Sequence, residues 1–174
     1  MTTLWDTIAE EATAESLLWG QALRPGVERE LEPIFSALGE ERFALGLETI
    51  YEGYLMHYGR PRLFAPPDGD NALLLGDYLY AHGLVRVAGL REVEAVSDLA
   101  ELISVCAQLR AAGLDGDGAA WAASAALLGR GRLAAAREAL RLDGDADPLR
   151  ALAYDAAGEE AVDRALAAHL ERVG

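Results

Sequence analysis

Residues 73–88 read LLLGDYLYAHGLVRVA. Leucine, tyrosine, valine and alanine point in nearly every direction around a helix here, yet Gly76, Asp77, His82 and Arg86 are set among them. A helix that is apolar all round is a buried one, so the stretch is expected to pack against neighbours on several sides. Gly76 would let one neighbour come close. Asp77, in the first two turns, can meet backbone N–H groups or an arginine of an adjacent helix. Arg86 can pair toward His82 or with an acid from another helix.

Helical periodicity continues on both sides. In EERFALGLETIYEGYLMHY, residues 40–58, Phe43, Leu47, Ile50, Tyr51, Tyr54 and Leu55 form one broad apolar stripe. GRPRLFAPPDGDN (59–71) reads as an extended loop stiffened by three prolines, and loops of that length inside a domain are often functional. Asp70 or Asn71 is expected to cap the helix that follows. REVEAVSDLAELISVCAQLRAAG (91–113) predicts another helix ending at Gly113. Upstream, Thr3 is expected to cap a helix running to about Leu18, with Leu4, Trp5, Ile8 and Ala12 on one face. Gly20, Pro25 and Gly26 break it, and VERELEPIFSAL (27–38) predicts a second, acidic helix. Beyond residue 117 the chain turns alanine-rich and falls into four short helices, with joints at GRGR, LDGDADP and AAG. No sustained period-two alternation bounded by turns is present. The expectation is an all-α bundle over 1–117, with an Ala-rich helical part over 118–174 packed on it or extending it.

The chain has 174 residues, enough for one core without disulfide or metal staples. It carries 29 acids and 15 basic residues, all arginine, for a net charge of −14. Such a surface is a poor ligand for phosphate backbones, so nucleic acid is not an expected partner. The absence of lysine excludes a P-loop and a pyridoxal Schiff base. The lone Cys106 shares a helical face with Leu99, Leu102 and Ile103 and reads as a core residue, in keeping with a reducing compartment. The first twenty residues are acidic and lack a basic leader region, and no apolar run reaches the roughly 20 residues a membrane span needs. A cytoplasmic location is therefore expected.

Asp143, Asp145 and Asp147 begin a calcium-loop spacing, but Pro148 and Tyr154 stand where glycine and glutamate belong. Asp147 reads instead as a helix N-cap with Pro148 first in the helix. His57 follows Glu48 and Glu52 by nine and five residues, a poor metal spacing, and is expected to favour the helix C-terminus. His169 is expected at the surface. No metal site is expected.

The stretch YEGYLMHYGRPRLFAPPDGDNALLLGDYLYAHGLVRVA resembles the trans-isoprenyl diphosphate (polyprenyl) synthase family over about residues 40–112. Members carry an Asp-rich helix, a loop with Arg-Arg-Gly-x-Pro, and a helix opening with a Leu-rich run and Gly-Asp-Tyr-Leu. LLLGDYL matches the last element, with Gly76, Asp77 and Tyr78 as its structural motif, and Arg60, Pro61 and Arg62 fall where the arginine loop belongs. The resemblance implies a shortened isoprenoid-synthase bundle. It implies Arg60 and Arg62 as the residues that would meet a phosphate or a partner carboxylate. The family holds Mg²⁺ on two Asp-rich motifs; between Glu48 and Arg60 the only acid is Glu52, and no second motif or Gly-Lys-Arg follows. No catalytic residue and no cofactor are therefore expected. The implied function is that of a non-catalytic subunit, a pseudoenzyme that is self-paired or paired with a catalytic homologue, with an isoprenoid or other apolar molecule as a candidate ligand. Two alternatives are a prenyl transferase or terpene-type enzyme completed by a partner's Mg²⁺-binding aspartates, and a helical scaffold for other proteins.

Overall fold

The computed structural model describes residues 2–173. Among these residues are nine α-helices: α1 (Leu4–Glu15), α2 (Leu17–Gln21), α3 (Ala44–Tyr58), α4 (Gly69–Gly89), α5 (Val93–Ala112), α6 (Asp117–Ala126), α7 (Ala134–Asp143), α8 (Asp147–Ala157) and α9 (Glu159–Val173). Among the described residues the only extended pairing is one antiparallel bridge, Leu23 to Phe64. The all-α expectation holds. No described helix is long and apolar enough to cross a membrane.

Local chemistry sets the boundaries. Thr3 starts α1 through a capping box, its hydroxyl accepting from the Asp6 N–H at 3.2 Å while the Asp6 carboxylate accepts from the Thr3 N–H at 2.9 Å. The helix stops short of Leu18 because Ser16 turns extended and caps α2 instead. α4 is capped by Asp68, whose carboxylate accepts from the Asn71 N–H at 2.8 Å, and not by Asp70 or Asn71. At α8 the cap is Ala146, and Asp147 is already helical. α5 ends at Gly113 in the left-handed conformation, as read.

The expected helix over 27–38 does not form. Pro33 removes a donor and holds Glu32 out of the α region. The segment is irregular apart from two 3-10 turns, Gly26–Glu28 and Ser36–Leu38. The Glu32 carbonyl accepts from Arg62 Nη1 at 3.0 Å, and the Glu30 N–H donates to the Arg62 carbonyl at 3.3 Å.

The helix buried on all sides is α3, not α4. Every residue from Gly46 to Met56 is buried. α4 buries one stripe, Leu75, Gly76, Leu79, Gly83 and Val87, and leaves Leu73, Leu74 and Val85 at 53, 59 and 65% exposure. The two helices run antiparallel along a seam of glycines. Gly46 faces Gly83 and Gly53 faces Gly76, each pair seven residues from the next on its own helix. A Cβ on Gly53 would lie 2.9 Å from the Gly76 carbonyl oxygen, and one on Gly46 would lie 2.5 Å from Val87 Cγ2. The backbones approach closely because no side chain stands between them. Gly53→Ala is expected to cost about 1–3 kcal/mol by overpacking, read as a lower urea midpoint. Gly89→Ala meets nothing within 4 Å and should be neutral or slightly stabilising.

Two hydrophobic clusters result. The larger joins α3 to α5 and to the Ala-rich helices, so that Leu47, Ile50, Leu102, Trp121, Leu140, Leu149 and Val162 belong to one core. α6 is enclosed within it, packed by α5, α8 and α9. The smaller lies under α1 and α2, between Trp5, Ile8, Ala12 and Trp19 on one side and Met56, Leu63, Phe64, Leu75 and Leu79 on the other.

Candidate functional site

The loop after α3 sends its two arginines in opposite directions. Arg60 is exposed and pairs with Glu30 at 3.3 Å, beside Arg172, which takes the same carboxylate at 2.5 Å. Arg62 is 0% exposed and turns back beneath α3. Its Nη1 lies 2.6 Å from Glu48 Oε2 and its Nε 3.1 Å from Glu52 Oε2. The four-residue spacing of the two glutamates puts both on one face of α3, above the loop. Their second oxygens are also engaged: Glu48 Oε1 accepts from the Ser36 N–H at 3.2 Å and Glu52 Oε1 from the Leu63 N–H at 2.7 Å. The guanidinium is sandwiched between the rings of Trp5 and Tyr51, 4.6 and 4.9 Å from their centroids. Burial would lower the Arg62 pKa, but the two glutamates outweigh it and raise it, so the group is a fixed cation. Its Nη2 is buried without a hydrogen-bond partner.

This arrangement does not fit Mg²⁺. A divalent metal needs free carboxylate oxygens, and those of Glu48 and Glu52 are committed to Arg62 and to backbone donors. Among the described residues, no group of three or more His, Cys, Asp or Glu side chains is placed to hold a metal. Nor does the structure bring Arg60 and Arg62 together as one anion site.

The Gly76-Asp77-Tyr78 motif is divided. Gly76 lies under His57, where a Cβ would come 2.6 Å from Nε2. Asp77 is exposed and meets neither a backbone donor nor an arginine but His57 Nε2, at 3.2 Å. His57 in turn stacks on Tyr80 at 5.1 Å. Tyr78 leans on Trp19, with centroids 6.2 Å apart. Arg86 finds its acid on another helix: Glu11 of α1 pairs with Arg86 and, at 2.5 Å, with His82.

A second polar cluster joins α3, α5, α6 and α9. His169 is 1% exposed, against the expectation of a surface residue. The signal was present, because His169 continues the inward stripe of Val162 and Ala165. Its Nδ1 lies 2.9 Å from the Tyr51 hydroxyl and its Nε2 3.1 Å from Asp117 Oδ2. A carboxylate only accepts, so Nε2 donates to Asp117. The same oxygen accepts from the Tyr54 hydroxyl and from Arg110 Nη2 at 2.6 Å, while Arg110 Nε donates to the Tyr54 oxygen at 2.9 Å. Burial alone would raise the Asp117 carboxyl; hydrogen bonds from His169 and Tyr54 and the nearby positive groups outweigh it and hold it well below the usual carboxylate range. Burial drives the Tyr51 and Tyr54 hydroxyls far above the ordinary tyrosine range.

Hydroxyl, imidazole and carboxylate stand here in the order of a nucleophilic triad. The Tyr51 hydroxyl, however, lies in the core, with Phe35 and Trp121 at ring distances of 5.2 and 4.9 Å. No substrate atom reaches it, and the network serves to fasten α9 and α6 to α3. Cys106 is buried as read, and burial pushes its thiol well above the ordinary value, so it is no nucleophile. Grooves lie elsewhere. One of about 650 Å³ runs between residues 30–38 and α9, and one of about 450 Å³ between α5 and α7.

Compared with protein-family models, with curated proteins and with solved structures, the chain matches none.

Proposed function

We propose that the chain is a non-catalytic, polyprenyl-synthase-like helical protein that acts as a subunit, paired with a complete isoprenyl diphosphate synthase or with itself. The observation that carries this reading is the burial of Arg62 between Glu48 and Glu52 at 2.6 and 3.1 Å. These are the acids of α3 on the helix where the family's first aspartate motif would stand, and they grip a guanidinium instead of a metal. Without metal-held carboxylates, loss of an allylic diphosphate lacks the charge stabilisation that usually supplies most of the rate. A subunit also needs a contact surface. α4 turns Leu73, Leu74, Ala81 and Val85 outward with Asp77 among them, and exposed apolar patches mark such contacts.

Mixing the purified chain with an isoprenyl diphosphate synthase of the same genome tests this by light scattering on a sizing column. The expected result is a complex of summed mass, or a dimer of the chain alone. With Mg²⁺ and an allylic diphosphate but no companion, the chain is expected to show no elongation and no melting shift. Elongation by the chain alone would overturn the reading, and so would a monomer that ignores the synthase.

A further inference from the structure

We infer that α1 and α2 form a strap that opens as a unit from the rest of the fold and controls solvent access to the Arg62–Glu48–Glu52 cluster. The inference does not depend on the proposed function. Four observations carry it.

The strap's apolar contacts form a cluster of their own. Trp5, Ile8, Ala9, Ala12 and Trp19 pack on Met56, Leu63, Phe64, Leu75 and Leu79, apart from the main core. Opening the strap therefore leaves the contacts of α3 with α5–α9 intact.

The polar ties are few. At one end the Ala65 N–H donates to the Ala22 carbonyl at 2.7 Å and the Arg24 N–H to the Leu63 carbonyl at 3.0 Å. Midway along the strap, Glu11 is held by His82 and Arg86, with the Tyr78 hydroxyl 3.5 Å from the Glu11 carbonyl. Glu11 and His82 are partly exposed, so water and salt weaken the second tie.

What lies beneath the strap is charged. The Trp5 ring covers the Arg62 guanidinium at 4.6 Å. Lifting it admits water to two carboxylates and one guanidinium. Hydration of these groups offsets part of the cost of exposing the apolar faces.

Finally, Arg62 Nη2 is buried without a hydrogen-bond partner while the strap is shut. An unsatisfied buried donor of this kind favours the open form, in which water supplies the missing acceptor.

Hydrogen–deuterium exchange on the full chain tests the strap. Amides of residues 4–21 are expected to exchange at least about 100-fold faster than those of 46–56, through a local opening. Glu11→Gln is expected to speed exchange in 4–21 and at Ala65 by about tenfold, and to leave α5–α9 unchanged. Ile8→Ala, which truncates a buried side chain of the strap alone, is expected to do the same without moving the main melting transition. If 4–21 exchanges only with global unfolding, at the rate of α3, the inference fails. It fails equally if either variant lowers protection uniformly along the chain.

Discussion

Arg62→Met is expected to remove a large part of the fold's stability at neutral pH, read as a much lower urea midpoint. The substitution keeps most of the stem but removes the charge that Glu48 and Glu52 share at 2.6 and 3.1 Å. Two carboxylates are then left buried without a counter-ion, and breaking a buried pair from one side costs about 3–5 kcal/mol. Whole domains are stable by only about 5–15 kcal/mol. The Glu32 carbonyl also loses its donor. Rescue distinguishes charge from shape. Adding Glu48→Gln and Glu52→Gln removes both stranded charges while keeping an acceptor for the Ser36 and Leu63 N–H groups, so the triple variant should regain a cooperative urea transition. Arg62→Lys should fall between, because an ammonium cannot reproduce the planar fork or its stacking between Trp5 and Tyr51. A single Arg62→Met variant within about 1 kcal/mol of wild type would show that the glutamates do not depend on the arginine.

Asp117→Asn is expected to cost about 2–4 kcal/mol at pH 7. One carboxylate oxygen accepts from Tyr54, His169 and Arg110, and an amide meets those donors with weaker acceptance and with donors of its own. The variant should also change the response to acid. The Asp117 pKa is depressed in the fold, so its contribution is fully present above the ordinary aspartate value of 3.8 and is lost as pH falls below that value toward the depressed one. Urea unfolding between pH 7 and pH 3 should show wild-type stability falling more steeply below pH 4 than that of Asp117→Asn. Parallel profiles would mean that the carboxylate is not held ionised by the network.

The two networks differ in how far the sequence announced them. The stripe Phe43, Leu47, Ile50, Tyr51, Tyr54 and Leu55 is explicit, and all six are buried. Periodicity could also have placed His169 inside, since it follows Val162 and Ala165 at helical spacing. A lone ionisable residue near the end of an alanine-rich helix reads as exposed unless the stripe is followed to it. Arg60 and Arg62 stand two apart in a loop, where no periodicity says which one turns inward. That choice is made by Glu48 and Glu52, which lie within α3 and reveal nothing of the loop's path. α4 misleads for the opposite reason. Its leucines and valines surround the helix, but composition cannot count neighbours: α3 covers the glycine side and α1, α2 and α5 flank it, while Leu73, Leu74 and Val85 meet none.

The glycine seam also acts as a vernier. Gly46 with Gly83 and Gly53 with Gly76 coincide in one alignment of α3 and α4. Sliding one helix by a turn drives Val87 or Leu79 into a backbone. Sliding it by two turns, about 10.5 Å, breaks both native pairs and sets Gly46 against Gly76 or Gly53 against Gly83. The loop between these helices therefore need not measure the distance between them. Its length and its prolines are free to answer to the arginine they deliver.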